Sequence, residues 1–222
     1  VTEADWNSCT DPQAMLTFLR ESSKLSERKA RLFAVACCRG IWDLMTDGRS
    51  RVAVMVAERF ADGLTIEKWL EAARGEAHRV LRSVESEAEE AAAWASLWVT
   101  DSPAGLAAGK VAAWAAEAQL SIKRANKEYG RLVRDLSGLA AFRTVTLPTS
   151  VRTWNNGLIQ RLAEAAYEHR LLPSGHLDPE RLAVLADALE DAGADGELVE
   201  HLRGPGPHVR GCWPVDWCLG KS

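Results

Sequence analysis

The chain lacks most of the features that announce a chemistry. Its 222 residues contain five cysteines, an odd number, and no CxxC pair. That excludes a disulfide framework of the kind that staples small secreted domains. No stretch approaches the roughly 20 apolar residues of a membrane span. The run "RKARLFAVACC" sets basic residues before an apolar stretch, as an export signal does. That stretch is only about seven residues long, at the lower limit for a signal. The expected location is the cytoplasm, with no membrane partner. Net charge is −4, so no global excess of positive charge directs the chain to nucleic acid or to an anionic membrane.

Motifs are scarce as well. There is no HExxH, no GxSxG, no GxxxxGK[ST] and no paired ExxH of the di-iron bundle type. An enzyme is therefore not the expected reading, and no cofactor or catalytic residue is expected. Tyrosine and phenylalanine are few, at two and four, against nine tryptophans. Tryptophan here supplies bulk to a core otherwise built largely from alanine, since large-against-small packing suits close helices.

What the chain does have is helix punctuation. "TDPQAMLTFLRES" offers Thr10 or Asp11 as a cap and Pro12 in the first turn, with Met15, Leu16 and Leu19 on one face. "ERKARLFAVACCRGIWDLM" carries an apolar stripe wide enough for a central helix. Thr65 is positioned to cap the next helix, with Leu64 and Trp69 spaced as a hydrophobic staple. From there two Ala-rich arms, about 65–99 and 103–139, flank the turn "TDSP" and read as a long antiparallel hairpin carrying Trp94, Trp98 and Trp114. "FRTVTLPTSVRTW" is β-branched and alternating, and no second strand stands near it. "LDPERLAVLADALEDAG" is a helix with Asp178 as cap and Gly193 past its end.

The expected fold is all-α: a multi-helix bundle with a long Ala/Trp-rich helical hairpin and a smaller C-terminal helical subdomain. The expected boundaries are 1–141 for the N-terminal helical domain, 142–154 for an extended linker and 155–222 for the C-terminal subdomain.

Three groups of residues are candidates for a site. The first lies in "HLRGPGPHVRGCW", where Arg203, His208 and Arg210 are the side chains best placed to bind. Gly204 there reads as a left-handed helix stop. Pro205 and Pro207 lack the N–H groups on which a phosphate cradle depends. The second is a metal site of His201, His208, Cys212 and Cys218, the right ligand types for zinc. Their spacing departs from the two tight ligand pairs usual in structural zinc sites. The third is a basic stripe on the helix 106–138, where Lys123, Lys127, Arg131 and Arg134 recur at helical spacing beside Arg124. Such a stripe neutralises phosphates in a nucleic-acid binder. It equally suits pairing with the acidic run Glu85, Glu87, Glu89 and Glu90.

"LADALEDAG", "HLRGPGPHVRGCW" and "DWCLGK", together with "DWNSCTDP…MLTFLR…RKARLFAVACCRGIWDLM" and "LVRDLSG…FRTVTLP", resemble a family of small proteins, many of them planctomycete, to which no activity is assigned. The resemblance covers most of the chain and implies that the C-terminal signature is a shared feature. The family's ending carries apolar residues near positions 214 and 217. Pro214 and Trp217 depart from it, which weighs against a shared catalytic loop. The expected function is a non-enzymatic protein–protein interaction module or a subunit of a larger complex, with a protein partner or self-association. Nucleic-acid binding and a metal-dependent site are the alternatives.

Overall fold

The computed structural model describes residues 1–142 and 148–221. Thirteen α-helices and three short 3-10 turns form among them, and no strand beyond isolated bridges. The protein is an all-α, multi-helix bundle. Its chain divides into two compact units, Val1–Val133 and Arg134–Ser222.

The first unit holds α1 (Glu3–Ser8), α2 (Pro12–Glu21), α3 (Glu27–Gly40), α4 (Gly48–Ala61), α5 (Glu67–Val80), α6 (Glu87–Trp98), α7 (Ala104–Glu117) and most of α8 (Ile122–Ser137). Its centre is α3, which packs on α4 and α7. Every residue of α3 from Ala30 to Arg39 is buried, because its apolar stripe is broad enough to serve neighbours on several sides. Two arginines go inside with it. Arg31 donates to the Val99 carbonyl at 2.9 Å and to the Ser102 hydroxyl at 3.1 Å. Arg39 pairs with Glu58 of α4 at 2.7 Å and lies over the Trp42 ring.

Capping follows the sequence in most places. Asp11 accepts from the N–H groups of Gln13 and Ala14, with Pro12 in the first turn of α2. Ser26 and Asp178 cap α3 and the helix that begins at Pro179. The start of α7 is capped from outside its own segment: the Glu27 carboxylate, on α3, accepts from Ala104 N–H at 2.5 Å and Gly105 N–H at 3.3 Å. A negative group at a helix N-terminus satisfies free donors and opposes the helix dipole.

The Ala/Trp-rich hairpin is α6 against α7, where the rings of Trp94 and Trp114 stack at 5.7 Å and 18°. Each long arm is two helices rather than one. Serines make the breaks. Ser86 caps α6 by accepting from Glu89 N–H at 3.2 Å, and the Ser121 hydroxyl accepts from Arg124 N–H at 3.4 Å at the start of α8. Ser competes with helix continuation in this way. Thr65 does not cap α5. Ile66 occupies that position without a side-chain bond, and Leu64 and Trp69 stand exposed rather than closed as a staple.

The second unit takes in the last residues of α8, then α9 (Thr149–Thr153), α10 (Leu158–Glu168), α11 (Pro179–Asp191), α12 (Gly196–Arg203) and α13 (Trp213–Leu219). Its boundary falls inside α8, before the expected one at 142. Of the expected extended linker 142–154, residues 143–147 lie outside the described residues. Thr149–Thr153 forms one α-turn, and Trp154–Asn156 is a tight turn in which Asn155 and Asn156 hold positive φ, ended by Gly157 at φ +74°. The local cause is Pro148, which sits at the N-cap of α9 and starts the turn. The core of this unit gathers Ile159, Tyr167, Leu182, Leu185, Leu189 and Cys218 around α10, α11 and α13. No helix among the described residues is long and apolar enough to cross a membrane.

Candidate metal centre

The second unit brings four ligand-type side chains together. Asp135, His201, His208 and Cys212 each offer a donor atom, and all four atoms lie within 4.8 Å of one another. Asp135 stands on the last turn of α8, His201 on α12, His208 in the loop after it, and Cys212 at the N-cap of α13.

The loop is built to present these groups. Gly204 ends α12 in an extended conformation, φ −68° and ψ 167°, not in the left-handed one expected from its place after a helix. The left-handed turns fall later, at Gly206 (φ +68°) and Gly211 (φ +96°). Leu177 N–H donates to the His208 carbonyl at 2.8 Å, which pins the loop to the segment before α11. Val209 N–H donates to Asp135 Oδ2 at 3.0 Å, so one carboxylate oxygen is held by the backbone while the other faces the histidines.

Asp135 Oδ1 lies 3.0 Å from His201 Nε2 and 2.8 Å from His208 Nδ1. Cys212 Sγ lies 3.5 Å from the same His201 nitrogen and 3.9 Å from the same His208 nitrogen. Each histidine therefore turns one nitrogen to both the carboxylate and the thiol. In a Cys–His–Asp relay the two ring nitrogens divide the work, one on the nucleophile and one on the acid. Here the donor atoms converge on a point. Bond lengths of about 2.0–2.1 Å to nitrogen or oxygen and about 2.3 Å to sulfur set tetrahedral donors about 3.3 Å (N, O) and about 3.6 Å (N, S) apart. The four His–Asp and His–Cys separations lie within about 0.5 Å of those edges, and all the donor atoms lie within 4.8 Å of one another.

The surroundings match. His208 Nε2 lies 3.2 Å from the Gly204 carbonyl, an outer acceptor of the kind that orients a ligating imidazole. Burial of the Asp135 carboxyl opposes its ionisation. Hydrogen bonds from His201 and His208 outweigh that and hold it down to about 2. Burial likewise opposes charge on His208, and Asp135 outweighs it, so the imidazole titrates above its ordinary value. The cluster thus favours positive charge beside Asp135. Cys212 is 0% exposed. His201, the most open of the four at 23% side-chain exposure, packs against the Trp213 ring with centroids 5.5 Å apart and the planes at 62°. Trp213 in turn occupies the space a side chain on Gly138 would need.

Cys218 does not join the group. It lies six residues past Cys212, roughly 9 Å further along the chain if helical, and is packed in the apolar core, where burial pushes its thiol up to about 12. Asp135 takes the place expected of it. Of the other two residues nominated in the loop, Arg203 donates to Asp187 Oδ1 at 2.6 Å and Glu190 Oε2 at 2.7 Å, on α11. Arg210 lies over the Tyr167 ring at 5.1 Å. Neither belongs to the cluster.

On α8, Lys123, Arg124, Lys127 and Arg131 are exposed and Arg134 is half-buried, while Ala125, Tyr129, Leu132, Val133 and Leu136 form the buried face. The acidic run is engaged locally: Glu89 accepts from Glu85 N–H and from the Thr46 hydroxyl.

Comparison of the chain with family models, with curated proteins and with solved structures yields no match.

Proposed function

We propose that the protein binds a zinc-type divalent transition metal through Asp135, His201, His208 and Cys212, and that the ion acts structurally, as a staple of the C-terminal unit. The observation that carries this reading is the convergence of the donor atoms, with each histidine turning one nitrogen to both Asp135 Oδ1 and Cys212 Sγ. The mixed set of two imidazoles, one thiolate and one carboxylate suits zinc or cobalt(II) and not calcium or magnesium, which take oxygen donors. Four protein ligands fill a tetrahedral shell. A catalytic zinc instead keeps one position for water or substrate. The reading is thus a non-enzymatic one.

Elemental analysis of the purified protein, with zinc titration into chelator-stripped protein, tests it. The expected result is one zinc per chain, lost in His201→Ala and in Cys212→Ser. Absence of bound metal, together with no uptake on titration, overturns it.

A second reading is the binding of a protein partner by the first unit. It is favoured by Leu64, Ile66 and Trp69, which stand 56%, 62% and 60% exposed around the start of α5. Scattered apolar side chains are ordinary on a surface, and three large ones within six residues are less so. Crosslinking with Trp69→Ser as control tests it. Salt-dependent binding of duplex DNA, weakened by Lys127→Gln and Arg131→Gln, points instead to the α8 stripe.

A further inference from the structure

Behind the metal ligands lies a second buried group that the metal reading leaves unused. Tyr167 of α10 and Asp216 of α13 are both almost wholly inaccessible. The Tyr167 hydroxyl donates to Asp216 Oδ1 at 2.7 Å. Its oxygen accepts from Gly211 N–H at 3.0 Å. Gly211 immediately precedes Cys212 and holds φ +96°, a conformation only glycine adopts without strain. The Cys212 carbonyl is fixed from the other side, accepting from Asp216 N–H at 2.9 Å, and Cys212 N–H donates to the Val209 carbonyl at 2.8 Å.

In this arrangement the phenol is the donor and Asp216 Oδ1 the acceptor. That leaves a lone pair of Tyr167 Oη for the Gly211 N–H. The Arg210–Gly211 peptide, one before the peptide that carries the Cys212 N–H, is thereby held by a hydroxyl, which is itself bonded to a carboxylate. Outer groups of this kind aim metal ligands and tune them.

We propose that Tyr167, held by Asp216, is the positioning residue that aims the Cys212 sulfur at the metal. The inference rests on the metal reading above. Tyr167 acts through its hydrogen bond to the Gly211 N–H, one residue before the ligand. In Tyr167→Phe two buried polar groups, Gly211 N–H and the Asp216 carboxylate, each lose this partner. The left-handed turn at Gly211 then loses one of the bonds that hold it, and the sulfur one residue on is aimed less firmly.

The test uses the full chain loaded with cobalt(II), whose absorption separates the two questions. Ligand-field bands in the visible report a tetrahedral ion. A sulfur-to-cobalt charge-transfer band in the near ultraviolet reports the thiolate bond. Tyr167→Phe is expected to keep its helical circular dichroism and bind cobalt with a weakened charge-transfer band and an affinity about 10- to 100-fold lower. Asp216→Asn, whose amide oxygen still accepts from the phenol, is expected to lose less on both measures. Tyr129→Phe, in the first unit, is expected to match wild type. Tyr167→Phe with wild-type affinity and an unchanged band overturns the inference and leaves the metal reading intact. Should that variant fail to fold, Asp216→Asn carries the test, and its identity with wild type on both measures overturns the inference. No cobalt bands in the wild type overturn the metal reading and this inference with it.

Discussion

Asp135 and His201 stand 66 residues apart in the chain, and their side chains meet at 3.0 Å. The contact joins the end of α8 to α12. A metal ion between them would close a long loop, and closing long loops limits the unfolded chain more than the folded one. Binding that favours the folded state raises stability by RT ln(1 + [L]/Kd), about 4 kcal/mol at a thousandfold excess over Kd. Chelator treatment is accordingly expected to lower the melting temperature of wild type by several degrees, read by circular dichroism. His201→Ala is expected to melt at a reduced temperature that chelator no longer changes.

Arg203 provides the contrast. It lies two residues from His201, but its guanidinium is engaged with Asp187 and Glu190 at an exposed position. Exposed ion pairs contribute less than about 1 kcal/mol. Arg203→Ala is expected to keep full metal stoichiometry and to lose little stability. A loss of zinc in this variant, measured by elemental analysis, would place the site elsewhere in the loop.

Gly138 lets Trp213 lie where it does. A Cβ on Gly138 would come within 2.1 Å of the Trp213 ring, and the residue holds φ +45°. Gly138→Ala combines overpacking with left-handed strain, about 1–3 kcal/mol for the first and 1–2 kcal/mol for the second. The expected outcome is a destabilised protein with a displaced Trp213, read as a red shift in tryptophan emission. Unchanged stability contradicts the packing described for Trp213.

In the first unit, the Arg39–Glu58 pair is buried on both sides. Removing one member of such a pair costs about 3–5 kcal/mol, because the other charge stays buried without this partner. Glu58→Gln is expected to destabilise strongly in denaturant titration. The double change Arg39→Met, Glu58→Leu is expected to recover most of that loss, since apolar packing often replaces a buried pair at little cost. Equal effects of the single and double changes contradict the burial.

Most of the helices were legible because their signals are local. Asp11 and Asp178 cap where the sequence places caps, and Met15, Leu16 and Leu19 are buried as a single face. The breaks at Ser86 and Ser121 were not, because alanine-rich flanks look helical straight through a serine. The cap on α7 was not either, since Glu27 reaches it from another helix. The site divides in the same way. His201, His208 and Cys212 stand close together in sequence and were nominated as ligands. Asp135 comes from far upstream, and its one local sign is an acidic residue among Leu132, Val133 and Leu136 on the buried face of α8. Cys218 has a ligand's chemistry but lies on α13, which carries it into the core.

The central claim is that Asp135, His201, His208 and Cys212 surround one ion. X-ray absorption at the zinc edge of the zinc-loaded protein tests it most directly. The predicted first shell has one sulfur at about 2.3 Å and three nitrogen or oxygen donors at about 2.0–2.1 Å, with the sulfur replaced by a light atom in Cys212→Ser. A shell of light atoms only, six-coordinate and unchanged in Cys212→Ser, would contradict the account.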